Sequence, residues 1–228
     1  MRLGLLGGSF NPIHFGHLGI AQDAREKLGL DRVLFIPSGT PPHKQDKELA
    51  PAKDRYEMVR LAIAGTDSFD LSDVELRRGG KSYSIDTVRE LYQHYGSSAD
   101  LYFLIGLDAF LDFPTWREPD ALLRACRFVV ISRPGQSYRS LAGLPMLPPL
   151  ASDVLARLDS REVDRLDIPL PSGLGVICLP LPPCPISASD IRRRIRDGEP
   201  LANWLPPPVE SYILHHRLYQ EDPDHTHI

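Results

Sequence analysis

At 228 residues, 42% hydrophobic and 25% charged, the chain has the composition of a soluble globular protein with a sizeable core, as one large domain or two small ones. A formal net charge of −4 argues against a protein that coats nucleic acid by bulk electrostatics, but leaves room for a local basic site for a phosphorylated small molecule. The three cysteines, Cys126, Cys178 and Cys184, are widely spaced with no CxxC pair, which disfavours a zinc knuckle or disulfide framework and fits buried reduced thiols. The apolar run after Arg2 breaks at Gly7, too short for a signal segment, and no stretch approaches the roughly 20 apolar residues of a membrane helix. A cytoplasmic protein without a membrane or nucleic-acid surface is expected.

Residues 2–7 read as a buried strand. Gly7-Gly8-Ser9-Phe10-Asn11-Pro12-Ile13-His14-Phe15-Gly16-His17 follows, then an amphipathic helix over about 16–28 with Leu18, Ala21, Ala24, Arg25 and Leu28 in a stripe and Gly29 as C-cap. Strand, glycine-rich turn and helix is an order that builds a phosphate site, because the glycines let backbone approach and the helix start offers unpaired N–H groups. Residues 33–36 form a second strand ended by Pro37, which implies a right-handed parallel crossover. The loop Ser38-Gly39-Thr40-Pro41-Pro42-His43-Lys44 then leaves a strand end, where open sheets bind ligands, so Lys44 reads as a phosphate contact or a solvated lysine.

Residues 52–65 read as a helix with Tyr56, Val59, Leu61, Ile63 and Ala64 on its apolar face, and 67–76 as a short strand. A helix over about 84–95 takes Ser84 as N-cap. Residues 101–105 are a strongly apolar strand ending at Gly106-Leu107-Asp108, where Asp108 either meets a ribose or caps the next helix. Trp116, closing Phe113-Pro114-Thr115-Trp116, is either core or the flat wall of a ring pocket. A short helix at 118–124 and a strand at 127–132 lead to Arg133, which either lies against a base or faces water. The pattern weakens over 138–175, a variable segment or small lid with a helix at 151–159. A last strand at 175–179 precedes Ile186-Ser187-Ala188-Ser189-Asp190-Ile191-Arg192, where Ser187 or Ser189 caps a helix and Arg192 lies within a turn of that anion-favouring start. A closing helix spans 209–218, and a polar tail follows.

A parallel sheet would bring residues 7–17, Lys44 and residues 187–192 to one edge. Two histidines, a lysine, an arginine and two helix N-termini make a polyphosphate site, without the P-loop or the dinucleotide fingerprint. Phosphoryl or nucleotidyl transfer fits, since that chemistry needs positioning and charge stabilisation above all. From chemistry alone His14 and His17 stay open between phosphate contacts, structural caps and zinc ligands at i, i+3.

The opening segment resembles the signature of the nucleotidyltransferase superfamily, with its (H/T)-x-G-H motif at His14-Phe15-Gly16-His17, and residues 186–192 resemble its I-S-x-(S/T)-x-x-R motif with Ser189 for the common threonine. Pro41-Pro42-His43-Lys44, Ser82-Tyr83-Ser84, Ile105-Gly106-Leu107-Asp108, Phe113-Pro114-Thr115-Trp116 and Arg133-Pro134-Gly135 fall in the order seen in bacterial nicotinate-nucleotide adenylyltransferases. The resemblance covers about residues 2–218. It implies an α/β, doubly wound, mostly parallel Rossmann-like fold in one domain over 1–218, with a small C-terminal helical part at about 187–218 and a tail at 219–228.

It further implies AMP transfer from ATP to nicotinate mononucleotide, with Mg²⁺ on the ATP phosphates and no metal held by protein side chains. His14, His17, Lys44 and Arg192 would be catalytic. Gly8, Ser9, Phe10, Gly106, Asp108, Arg133, Ile186, Ser187 and Ser189 would complete the ATP site. Ser9, Asn11, Lys44, Tyr83, Ser84, Asp108 and Trp116 would bind the mononucleotide. A homo-oligomer is left open. A phosphopantetheine adenylyltransferase and a non-catalytic nucleotide sensor are the alternatives.

Overall fold

The computed structural model describes residues 1–40, 48–171 and 174–220. Lys44, Pro41, Pro42 and His43 lie outside the described residues, as does most of the polar tail.

Seven strands form one sheet in the order β3-β2-β1-β4-β5-β7-β6. They are β1 (Arg2–Gly8), β2 (Arg32–Pro37), β3 (Phe69–Leu71), β4 (Asp100–Gly106), β5 (Arg127–Ile131), β6 (Leu166–Ile168) and β7 (Val176–Cys178). All neighbours are parallel except β6 against β7. The central strands are buried on both faces, which is why they read as unbroken apolar runs. Leu3, Leu5, Leu34, Ile36, Phe103 and Phe128 belong to one core layer; Leu6, Val33, Phe35, Leu104 and Val129 belong to the other. The chain builds outward from β1 through β2 to β3, then returns to place β4 on the other side of β1. This reversal leaves a crevice beyond the carboxyl ends of β1 and β4, the place where open α/β sheets bind ligands.

Helices α1 (Phe15–Leu28), α2 (Ala52–Ile63), α3 (Val74–Arg78), α4 (Ser84–Tyr95), α5 (Leu107–Leu111), α6 (Pro119–Ala125), α7 (Ser152–Asp159), α8 (Ala188–Arg196) and α9 (Pro207–His215) flank the sheet. Gly29 ends α1 in the left-handed region at φ 59°, as its position after the stripe predicts. None of these helices is long and apolar enough to cross a membrane.

Several expectations need correction. The strand expected at 67–76 stops at Leu71, and Val74–Arg78 is helical. Ser84 is the first residue of α4 and caps nothing; Tyr83 holds the N-cap position. The buried face of α2 is Arg55, Met58, Val59 and Ile63, rotated from the one expected. The last helix starts two residues earlier, at Pro207, and ends at His215. Cys184 is half-buried, unlike Cys126 and Cys178. Residues 138–171 pack Tyr138, Leu141, Leu147, Leu155, Leu158 and Ile168 into the core instead of standing over the site.

Candidate active site

The opening turn leaves β1 through Phe10, which sits at φ 45°. A bulky residue in that region costs on the order of 1 kcal/mol. The ring's near-complete burial offsets the cost, with Phe35 at 5.9 Å and His17 edge-on at 5.1 Å.

His14 stands at the N-cap of α1, buried to 6% exposure. Its ring lies 3.8 Å from that of His17, centroid to centroid, and the His14 N–H donates to His17 Nδ1 at 3.3 Å. The glycine between them has a spatial cause: a Cβ on Gly16 would lie 2.9 Å from His14 Nδ1 and 3.2 Å from Cys184 Sγ. Burial, and then the positive charge of Arg133, push the His14 pKa down from 6.5 to about 4. At neutral pH His14 therefore offers a neutral N–H.

Arg192 closes the site from the other end of the chain. It is buried to 9% exposure on α8, and Nη1 donates to the Asn11 carbonyl at 2.9 Å. Its Nε donates to Glu48 at 2.9 Å, and Arg196 reaches the other oxygen of that carboxylate at 3.0 Å. Ser187 is the N-cap, its Oγ accepting from Asp190 N–H at 3.1 Å, while Ser189 is exposed in the first turn and Ile186 packs on the core beside it. Asn11 is buried with its side chain engaged: Nδ2 donates to the Glu48 carbonyl, and Oδ1 accepts from Ala50 N–H and the Tyr219 hydroxyl. That side chain ties loops together, and Asn11 meets Arg192 through its backbone.

At the end of β4, Asp108 is exposed in the first turn of α5 without capping it, with Arg133 3.9 Å away. The capping alternative is thereby removed. Tyr138, placed by the 138–171 segment, holds the turn that carries Arg133: its hydroxyl accepts from Ser132 N–H at 3.1 Å and donates to the Val130 carbonyl at 3.2 Å. Trp116 is half-buried, packed against Phe113 and Phe103 at 5.4 and 6.2 Å. Tyr83 is half-buried on the same core layer, and the Arg117 guanidinium lies 4.8 Å from its ring centre, joining the two aromatic loops.

Sequence reasoning missed Arg55, Glu75 and Thr87, which lie buried behind these loops with Ser82. For Arg55 a signal existed, because it stands four residues before Val59 on the buried stripe of α2.

Residues 5–194 match the cytidylyltransferase-like family. A relative from Pelobacter propionicus, named a probable nicotinate-nucleotide adenylyltransferase, is 42% identical over 98% of this chain and 100% of its own length. One of the same name from Geobacter metallireducens is 43% identical over 97% of this chain and 100% of its own.

This chain belongs to the nicotinate-nucleotide adenylyltransferase family.

The structure of Plasmodium falciparum nicotinic acid mononucleotide adenylyltransferase complexed with NaAD superposes with a TM-score of 0.68, covering 96% of this chain and 97% of that one. At 16% identity that likeness speaks for the fold. Membership in the nicotinate-nucleotide adenylyltransferase family makes this chain a nucleotidyltransferase with a Rossmann-like fold, and agrees with the order of motifs along it.

Proposed function

We propose that the chain transfers AMP from ATP to nicotinate mononucleotide, forming nicotinate adenine dinucleotide and pyrophosphate. The observation that carries this reading is the bond from Arg192 to the Asn11 carbonyl, which joins two motifs 181 residues apart at the sheet's reversal point. The mononucleotide phosphate attacks the α-phosphorus of ATP, and the bond from that phosphorus to the bridging oxygen breaks as pyrophosphate leaves. The nucleophile is already an anion at neutral pH, so no base is needed and a neutral His14 suits the task. His14 and His17 donate to the ATP phosphates. Arg192, Lys44 and the start of α8 hold the charge that builds as pyrophosphate departs.

Gly8, Ser9 and Phe10 carry backbone toward ATP, Asp108 meets a ribose and Arg133 borders the adenine. Tyr83, Ser84 and Trp116 line the pyridine pocket. Two imidazoles and several arginines suit phosphate oxygens. Magnesium, the usual companion of ATP, would neutralise charge on its phosphates. Residues 1–218 act as one domain in this reading, because Ile191, Val209 and Ile213 share a core layer with the strands.

The reading is tested by turnover with ATP, Mg²⁺ and each of three acceptors: nicotinate mononucleotide, nicotinamide mononucleotide and phosphopantetheine. Dinucleotide formation led by the nicotinate substrate supports it. Adenylylation of phosphopantetheine alone would assign the chain to a different reaction.

A further inference from the structure

Among the described residues, Arg55 on α2 has the largest fully buried side chain, at 0% exposure. Burial pulls its pKa below the ordinary arginine value, so the folded protein keeps this cation against a desolvation cost. An apolar residue would fill the same space on the α2 stripe without that cost. The guanidinium spends its donors on main chain: Nε to the Ala50 carbonyl at 2.9 Å, Nη1 to the Ser9 carbonyl at 2.8 Å and Nη2 to the Gly39 carbonyl at 3.0 Å. Ser9 leaves the end of β1, Gly39 leaves the end of β2, and Ala50 is the residue Asn11 holds. One planar fork therefore fixes three loop segments relative to one another.

The Gly39 peptide is held from both sides. Its N–H donates to Ser82 Oγ at 3.1 Å, and Ser82 directly precedes Tyr83. A Cβ on Gly39 would lie 2.6 Å from the Glu75 carbonyl, so glycine alone fits there. Glu75 in turn accepts from the Thr87 hydroxyl at 2.7 Å, which fastens the start of α4 to the same cluster. Thr40 also bridges Lys81 in parallel register. The cluster thus runs from Gly39 through Ser82 to the segment that carries Tyr83 and Ser84, behind the loops assigned to the mononucleotide.

We propose that Arg55 is a positioning residue that sets the mononucleotide half of the site through the Gly39 carbonyl. The inference rests on the assignment of the Tyr83 and Ser84 loop to that substrate.

Arg55→Lys keeps the charge and the stem, but one ammonium cannot span three carbonyls. Steady-state kinetics of R55K should show the KM for nicotinate mononucleotide raised about tenfold or more, with the KM for ATP within about threefold of wild type. Val59→Ala on the same buried face controls for lost packing: it should lower the thermal midpoint and leave both KM values in place. Equal shifts in both KM values for R55K, or no shift, overturn the proposal. If R55K does not fold, Ser82→Ala carries the test, since it frees the Gly39 N–H; an unchanged mononucleotide KM in S82A overturns the proposal. Amide exchange at residues 38–40, faster in R55K or S82A than in V59A, reads the loop without turnover. A wild-type enzyme that neither binds nor turns over the mononucleotide would contradict the function, while slow exchange at those amides in R55K would contradict the role of Arg55.

Discussion

His14 owes its chemistry to its place at the buried N-cap of α1 more than to being a histidine. Its pKa is about 4 in the folded protein against an ordinary 6.5, so between these values the unfolded chain binds the extra proton. Stability contributed at His14 is therefore intact above pH 6.5 and lost as pH falls toward 4. The loss amounts to about 3 kcal/mol. Urea unfolding at pH 7 and pH 4.5 should show a larger drop for wild type than for His14→Gln; equal drops would remove His14 as the cause. His17 is less buried, and its Nδ1 accepts the His14 N–H, which leaves Nε2 as the ring nitrogen that donates in the proposed transition state. His17→Ala should lower kcat by about 10² to 10³, as loss of one such donor does, with little change in ATP affinity. At this scale the sequence was legible where a residue type is rare and its spacing tight, as with the two histidines. It was harder to read where a residue works from behind: an arginine on a helix reads as solvated, and the spacing of Arg55 from Val59 is its one sequence sign of burial.

At the scale of elements, α1 contains a paired test of why its glycines differ. Gly16 has no room for a methyl group, because the His14 ring lies 2.9 Å from where it would stand. Gly19, on the same helix, has nothing within 4 Å. Gly19→Ala should raise stability by about 0.4 to 1 kcal/mol through helix propensity alone. Gly16→Ala should lose turnover by about tenfold or more, because the imidazole must move and sub-ångström placement governs such rates. Thermal melts and kcat of the two variants decide it; matching behaviour would refute the steric account. The central strands were legible because burial on both faces makes them continuous apolar runs. The short β6 and α3 were not, and β3 was drawn too long, since three to five residues carry too little periodicity to separate strand from helix. In the 138–171 segment the helix was legible, with Leu155 and Leu158 three residues apart on its buried face; the rest was not, since Tyr138, Leu141, Leu147 and Ile168 enter the core from short or irregular stretches.

For the whole molecule, the decisive feature is that the turn after β1 and the segment from α8 to Tyr219 meet at one edge of the sheet. Arg192 holds the Asn11 carbonyl, and the Tyr219 hydroxyl reaches Oδ1 of the same residue at 2.8 Å. Arg192→Ala would leave a buried carbonyl without this donor, at a cost of about 1 to 3 kcal/mol. It should also cut turnover by far more than the stability loss explains, measured by denaturant midpoint and kcat at a temperature where the variant is fully folded. A turnover loss no greater than that of a core variant of equal stability would deny Arg192 its role with phosphate. The pairing of residues 7–17 with 187–192 was legible from the sequence because each segment alone looks like an anion site at a helix start. The Asn11 and Glu48 contacts that lock them together were not, because they run through a backbone carbonyl and a loop carboxylate that no local pattern marks.

The central claim is AMP transfer to a pyridine mononucleotide at this edge of the sheet. Purified protein given ATP, Mg²⁺ and nicotinate mononucleotide should release pyrophosphate and form nicotinate adenine dinucleotide in equal amounts. Pyrophosphate no faster than in a protein-free blank, or released without the dinucleotide, would contradict it.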